Sequence, residues 1–102
     1  MPEVAKLTLR QAAEDDLEEI DRFSAERFGK AVADGYAQGL VSALDAVAEL
    51  PYAAPLREDF GAGVRGKLYR SHRVLYRIEE DGEVVVLRVL HHSRDIRPAL
   101  NL

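Results

Sequence analysis

The sequence predicts an α+β fold: an N-terminal strand, an antiparallel helical hairpin packed on a small, mostly antiparallel four-stranded sheet, and a short C-terminal helix. Three observations carry this. Apolar residues recur at three- and four-residue steps through residues 10–50, interrupted for turning only at Gly29. From residue 64 to 91 the period drops to two, broken by turn residues. The two patterns are segregated along the chain, not interleaved, which favours α+β over α/β. A length of 102 residues fits one domain spanning 1–102. Hydrophobic residues at 47% against 31% charged are the balance of a globular chain, not a disordered one.

Residues 4–9 alternate apolar and polar side chains and predict the first strand. Thr8 and Gln11 have the spacing of a capping box, so the first helix is expected to begin near Leu9 and run to Phe28. Its apolar stripe is Ala13, Leu17, Ile20, Phe23 or Ser24, and Phe28. The acids Glu14, Asp15, Asp16, Glu18 and Glu19 crowd the N-terminal half, where the positive end of the helix dipole tolerates them. Gly29 suits the left-handed position that ends a helix. A second helix is predicted over 30–50, with Val32, Tyr36, Leu40, Leu44 and Val47 on one stripe and Val41 and Leu50 at its edges. So short a link implies an antiparallel pair. Pro51 stops the helix, and 51–63, with Pro51, Pro55, Gly61 and Gly63, reads as a loop.

Strands are predicted over 64–70 and 72–79, joined by a tight turn. Glu80-Asp81-Gly82 then turns the chain into a strand over 83–91. Its run of Val84, Val85, Val86, Leu87, Val89 and Leu90 is expected to be covered on both faces. Asp95 is placed to cap a terminal helix through Leu100, with Pro98 in its first turn.

Composition excludes several functions. There is no cysteine, hence no disulfide, thiolate metal site or cysteine nucleophile. No apolar run reaches the ~20 residues of a membrane span, and the MPEVAKLTLR start lacks the layout of a secretory signal. Ser24, Ser42, Ser71 and Ser93 sit in no nucleophile elbow, and Gly61, Gly63 and Gly66 match neither a dinucleotide loop nor a P-loop. No motif asks for a cofactor.

Charge is divided unevenly. The net charge is −4, but residues 1–50 hold five Lys/Arg against eleven Asp/Glu, and residues 51–102 hold nine against seven. Between Gly61 and Ile78 stand Arg65, Lys67, Arg70, Arg73 and Arg77 with no acid. Such a band suits an anionic partner, and equally serves to keep a sheet soluble. Alternation puts Arg65, Lys67 and Tyr69 on one side of their strand. On the next strand it puts His72, Val74, Tyr76 and Ile78 toward the core and Arg73, Leu75 and Arg77 away from it. Guanidinium forks there match phosphate or carboxylate. His91 and His92 close the last strand. As strand neighbours they are expected on opposite faces, which argues against a shared metal. Either is placed for acid–base work or for a surface hydrogen bond.

Taken in order, Leu9, Ala13, Asp16-Leu17, Ile20 and Phe28-Gly29, the Pro51 loop, Gly66–Arg70, Ser71-His72-Arg73-Val74-Leu75-Tyr76-Arg77-Ile78, and Arg88-Val89-Leu90-His91-His92 with Asp95 resemble the RelE/ParE toxins of bacterial type II toxin–antitoxin systems. The strand ending Arg88-Val89-Leu90-His91 is similar to the ParE branch. The resemblance implies a cytoplasmic, cofactor-free toxin silenced by a cognate ParD-like antitoxin. It would inhibit DNA gyrase by binding, without chemistry or sequence-specific DNA binding of its own. Target contact is then expected from Arg65, Lys67, Arg70, Arg73, Arg77, Arg94 and Arg97, and antitoxin contact from Ala37, Val41 and Ala48 at the edge of the second helix's stripe. The RelE branch, which cuts ribosome-bound message, is the alternative. It would use Arg73, Arg77, His91 and His92, but its lysine-rich second strand is missing and no tyrosine follows Tyr76.

Overall fold

The computed structural model describes residues 4–93. Strand β1 (Leu7–Leu9) leads into helix α1 (Gln11–Phe28) and helix α2 (Lys30–Glu49). A loop holding a short 3-10 turn, Glu58–Phe60, follows, and then strands β2 (Arg65–Tyr69), β3 (His72–Ile78) and β4 (Val84–His91). The four strands lie in the order β1-β4-β3-β2. Both β2–β3 and β3–β4 are antiparallel, whereas β1 runs parallel to β4. The helical hairpin and mostly antiparallel sheet agree with the sequence reading. The expected terminal helix from Asp95, with Arg94, Arg97 and Pro98, lies outside the described residues.

Two local expectations need correction. Thr8 caps nothing: it pairs with Val85 inside β1, α1 begins at Gln11 after Arg10, and that N-terminus has no side-chain cap. The Gln11 amide donates instead to Asp15. β1 itself is shorter than 4–9, because only Leu7–Leu9 reach β4.

One residue joins the helices. Gly29 has φ +90° and ψ 165°, a region essentially reserved for glycine, and its N–H still closes the last turn of α1 on Ala25. A side chain there would meet open space, so backbone strain alone opposes one. Gly29→Ala is expected to cost about 1–3 kcal/mol. A thermal melt should show the midpoint falling by several degrees, near the ~4–8 °C per kcal/mol of a domain this size.

The sheet's helix-facing side packs Val74, Tyr76, Val84, Val86 and Val89 against Ala13, Leu40, Leu44 and Val47. Facing positions on β4 change parity midway. Leu75 pairs with Arg88 and Tyr76 with Val86, leaving Leu87 in a bulge. The Val84–Leu90 run is therefore buried on both faces, as its continuous apolarity implies. The second face carries its own small core of Val64, Leu75, Leu87 and Leu90, with Phe60 against it. Leu75, expected beside Arg73 and Arg77 on an open face, is thus completely buried.

At α2, Gly39 lets Tyr69 of β2 approach; a Cβ there would overlap the tyrosine hydroxyl. This contact closes the middle of the hairpin onto the sheet. Farther toward Gly29 the helices stand clear of it.

Candidate functional site: an apolar groove and an outward arginine face

Where the hairpin stands clear, α1, α2, the β2–β3 turn and the end of β4 enclose an open groove of about 590 Å³. Asp16, Glu19, Ile20, Phe23 and Ser24 line it from α1, at the spacing of one helix face. Phe28 and Val32, expected on the core-facing stripes, stand at its rim. Phe23 is 55% exposed, Phe28 61% and Val32 54%.

The end wall is aromatic. Tyr36 Oη lies 2.7 Å from His72 Nδ1, and the His72 ring meets the His91 ring edge-on with centroids 5.6 Å apart. Burial lowers the pKa of His72 below the usual imidazole value, and the charges of His91 and His92 lower it further. The ring is thus biased to its neutral form, which can accept the Tyr36 hydroxyl proton at Nδ1. Since the folded pKa lies below the unfolded one near 6.5, the contribution is complete above that pH. It declines as pH falls and the unfolded chain takes up the proton first. Differential scanning calorimetry between pH 7 and pH 5 should show a falling midpoint, with a shallower fall in His72→Gln.

His91 and His92 do not point to opposite faces. The strand ends at His91, His92 turns back to donate its backbone N–H to Ser71 O at 2.8 Å, and the two rings stack with centroids 4.7 Å apart. The alternation rule fails because one of the pair lies outside the strand. Even so, among the described residues no group of three or more His, Cys, Asp or Glu is placed to hold a metal.

The basic band divides between the two faces of the sheet. Arg65 pairs with Tyr76 on the helix side, donates to the carbonyls of Tyr52 at 3.2 Å and Ala54 at 2.7 Å, and lies over the Tyr52 ring. With Tyr76 Oη donating to Pro51 O at 2.6 Å, it fastens the loop after α2. Lys67 pairs with Val74 on the same side, and Arg70 occupies the β2–β3 turn with φ +50°. Arg73 and Arg77 stand on the opposite face, and neither is in an ion pair among the described residues. Arg73 lies across Gly66, where an added Cβ would come within 3.0 Å of its Cδ. Its pKa is lowered by burial and then by Arg57, which itself is forked onto Asp59 and stacked over Phe60.

The family model described as "ParE toxin of type II toxin-antitoxin system, parDE" matches residues 7–96. Toxin ParE1 of Caulobacter vibrioides is 35% identical over 92 residues, covering 90% of this chain and 94% of the relative. The chain belongs to the ParE toxin family. Toxin ParE1 of Mycobacterium tuberculosis is 32% identical over the same shares. Among solved structures, a chromosomal ParDE system from P. aeruginosa superposes with a TM-score of 0.75 at 21% identity, covering 86% of this chain and 96% of that one. The RelBE2 toxin–antitoxin complex of M. tuberculosis gives 0.64 at 23%, covering 89% and 94%. Both likenesses concern the fold.

Within this ParE-family chain the residues expected to contact an antitoxin separate. Val41 is exposed, and Ala37 lines a smaller apolar cleft with it between α1 and α2. Ala48 is corrected: it is only 6% exposed, because α2 turns that face to the sheet and its carbonyl accepts the Ala5 N–H at 2.9 Å. Arg94 and Arg97 lie outside the described residues. Sequence reasoning missed Asp16 as a structural acid. It accepts Arg88 Nε at 2.7 Å, Arg88 Nη2 at 2.8 Å and the Val89 N–H at 2.9 Å. One acid among five neighbours on a helix carries no mark of this, although Asp16 and Arg88 both fall within the family motifs.

Proposed function

We propose that this ParE-family toxin acts in the cytoplasm by binding, with DNA gyrase as its target and a ParD-like antitoxin as its inhibitor. The carrying observation is the placement of the four residues a ribonuclease would need together. Arg73 and Arg77 are on the outer face of the sheet, whereas His91 meets His72 on the helix side. General acid–base catalysis of phosphodiester cleavage needs the proton-transferring group and the charge-stabilising cations around one phosphate. Two cations on one face and imidazoles on the other suit two separate contacts better. The antitoxin reading is supported by the family description and by the fold likeness to toxins solved from toxin–antitoxin systems.

The test is a supercoiling assay with purified gyrase, run beside cleavage of ribosome-bound message. Dose-dependent loss of supercoiling without cleavage is expected, together with relief on adding the antitoxin encoded next to the toxin gene. Intact supercoiling with message cleavage would replace this reading by the RelE-like one.

A further inference from the structure

We propose that Arg57 of the loop and Arg73 of β3 form one carboxylate clamp on the outer face of the sheet. Its ligand is an Asp or Glu side chain of the protein target, and Asp59 fills the place while the toxin is unbound. This rests on the binding reading above and adds to it a residue, Arg57, the chemistry of the contact and an internal competitor for it.

The backbone sets the two arginines side by side. Gly66 N–H donates to Pro55 O at 3.1 Å and Arg57 N–H to Val64 O at 2.7 Å, so residues 55–57 run along the start of β2 as a short added strand. Gly66 sits opposite Leu75 on the outer face. Both arginine stems cross it: a Cβ on Gly66 would come within 3.0 Å of Arg73 Cδ and 3.4 Å of Arg57 Cγ. A side chain at 66 would thus drive the pair apart. Arg57 also stacks on Phe60, its guanidinium carbon 4.5 Å from the ring centre, which steadies the fork that a ligand meets.

Like charges are gathered here at a cost. Burial lowers the Arg73 pKa first and the charge of Arg57 lowers it further, with Asp59 pulling the other way. Two cations thus share one carboxylate. Arg57 holds both Asp59 oxygens, through Nε at 3.1 Å and Nη2 at 3.0 Å, so the place already binds the chemical group assigned to its ligand. The Asp59 side chain is 50% exposed, and an ion pair so open to water holds its partners weakly. An incoming carboxylate that engages Arg73 as well gains a second guanidinium and relieves the repulsion between the two. A phosphodiester backbone fits worse. Arg65 and Lys67 lie on the helix side of the sheet and Arg77 is about 13 Å along β3, so no basic track continues from the clamp. Glu58 and Asp59 stand at its rim and repel a polyanion.

The experiment follows the arginine Nε–H resonances of the full chain by NMR. The probes are a capped tetraglutamate peptide, inorganic phosphate and a short single-stranded RNA, and calorimetry with purified gyrase runs beside them. Thermal melts confirm that each variant folds. The peptide is expected to shift the Arg57 and Arg73 signals together. Arg57→Gln should weaken binding of peptide and gyrase by about tenfold, the loss of one charge-assisted contact. Lys30→Gln, which removes the same charge from the start of α2, should stay within about threefold of wild type. Asp59→Asn is the decisive variant. It keeps the size of the side chain but no longer competes, so peptide and gyrase should bind about three- to tenfold more tightly. An Arg57 kept only to fasten the turn gives a lower melting midpoint in Asp59→Asn and no gain in binding, which overturns the clamp. Phosphate or RNA that shifts the two signals at lower concentration than the peptide overturns it too, in favour of a nucleic-acid contact. Peptide binding without gyrase binding leaves the clamp standing and removes gyrase as the target. Gyrase binding untouched by Arg57→Gln removes the clamp and leaves the target reading in place.

Discussion

Asp16→Ala is expected to lose about 3–5 kcal/mol, the range for breaking a buried ion pair by removing one partner. Against the ~5–15 kcal/mol stability of a domain, that leaves the protein near unfolding. The size follows from what the carboxylate does for the sheet. β1 pairs with β4 only as far as Leu9 and Val86, and Arg10 N–H adds one more bond to Val86 O at 3.0 Å. Beyond that point β4 has run past its neighbour, just after the Leu87 bulge. The Val89 N–H would face the buried flank of α1 without an acceptor. Asp16, 8% exposed and in the second turn of α1, accepts it and binds the fork of Arg88 with both oxygens. A helix side chain thus continues the ladder where the strand stops. Asp16→Asn should cost less, since its amide oxygen can still take the Val89 N–H. Arg88→Lys should also destabilise, because an ammonium cannot reproduce a two-oxygen fork. Urea unfolding is the measurement: the midpoint should drop in the order wild type, Asn, Ala at an unchanged slope. An Ala variant within 1 kcal/mol of wild type would falsify the ladder argument.

That role was not legible in the sequence, and the reason is general. Element identity follows from local periodicity, so both helices, the β2–β3–β4 succession and the two-sided burial of Val84–Leu90 could be read directly. Pairing across the fold does not follow from it. Nothing in residues 7–9 says that they lie parallel to 84–86, so the length of the unpaired β4 edge, and the need for Asp16 there, stays hidden. The second core was hidden for a similar reason. Leu75 between Arg73 and Arg77 reads as a solvent face, and only the return of the 51–64 loop, with Val64 and Phe60, buries it. Phe28 and Val32 show the reverse error. Their spacing fits a core stripe, but each lies beside Gly29, beyond the reach of the sheet. Periodicity locates an apolar face without saying what covers it.

The second large effect concerns the outer face. Changing Arg73 and Arg77 together to Gln should weaken gyrase inhibition by about 30-fold or more, the ~2 kcal/mol of an interface hot spot. Antitoxin affinity should change little, because Ala37 and Val41, the residues expected to meet the antitoxin, lie on α2 on the other side of the sheet. Stability supplies the internal control. Arg73 is held in a partly buried place beside the like charge of Arg57, and both burial and that repulsion lower its pKa. Replacing it by a neutral side chain removes the conflict, so the melting midpoint should hold or rise while activity falls. A residue kept for packing would show the opposite coupling, with loss of activity following loss of fold. The two single variants divide the effect further. Arg73 and Arg77 are four residues apart on β3, about 13 Å, with the buried Leu75 and its covering loop between them. They are thus two separate anchors and not one fork, and their losses should add when a target spans both. Supercoiling titrations of the wild type, each single variant and the pair measure this directly. Full inhibition by the double variant would place the target contact elsewhere on the toxin. Lost inhibition together with lost antitoxin binding would mean that the two faces are not independent.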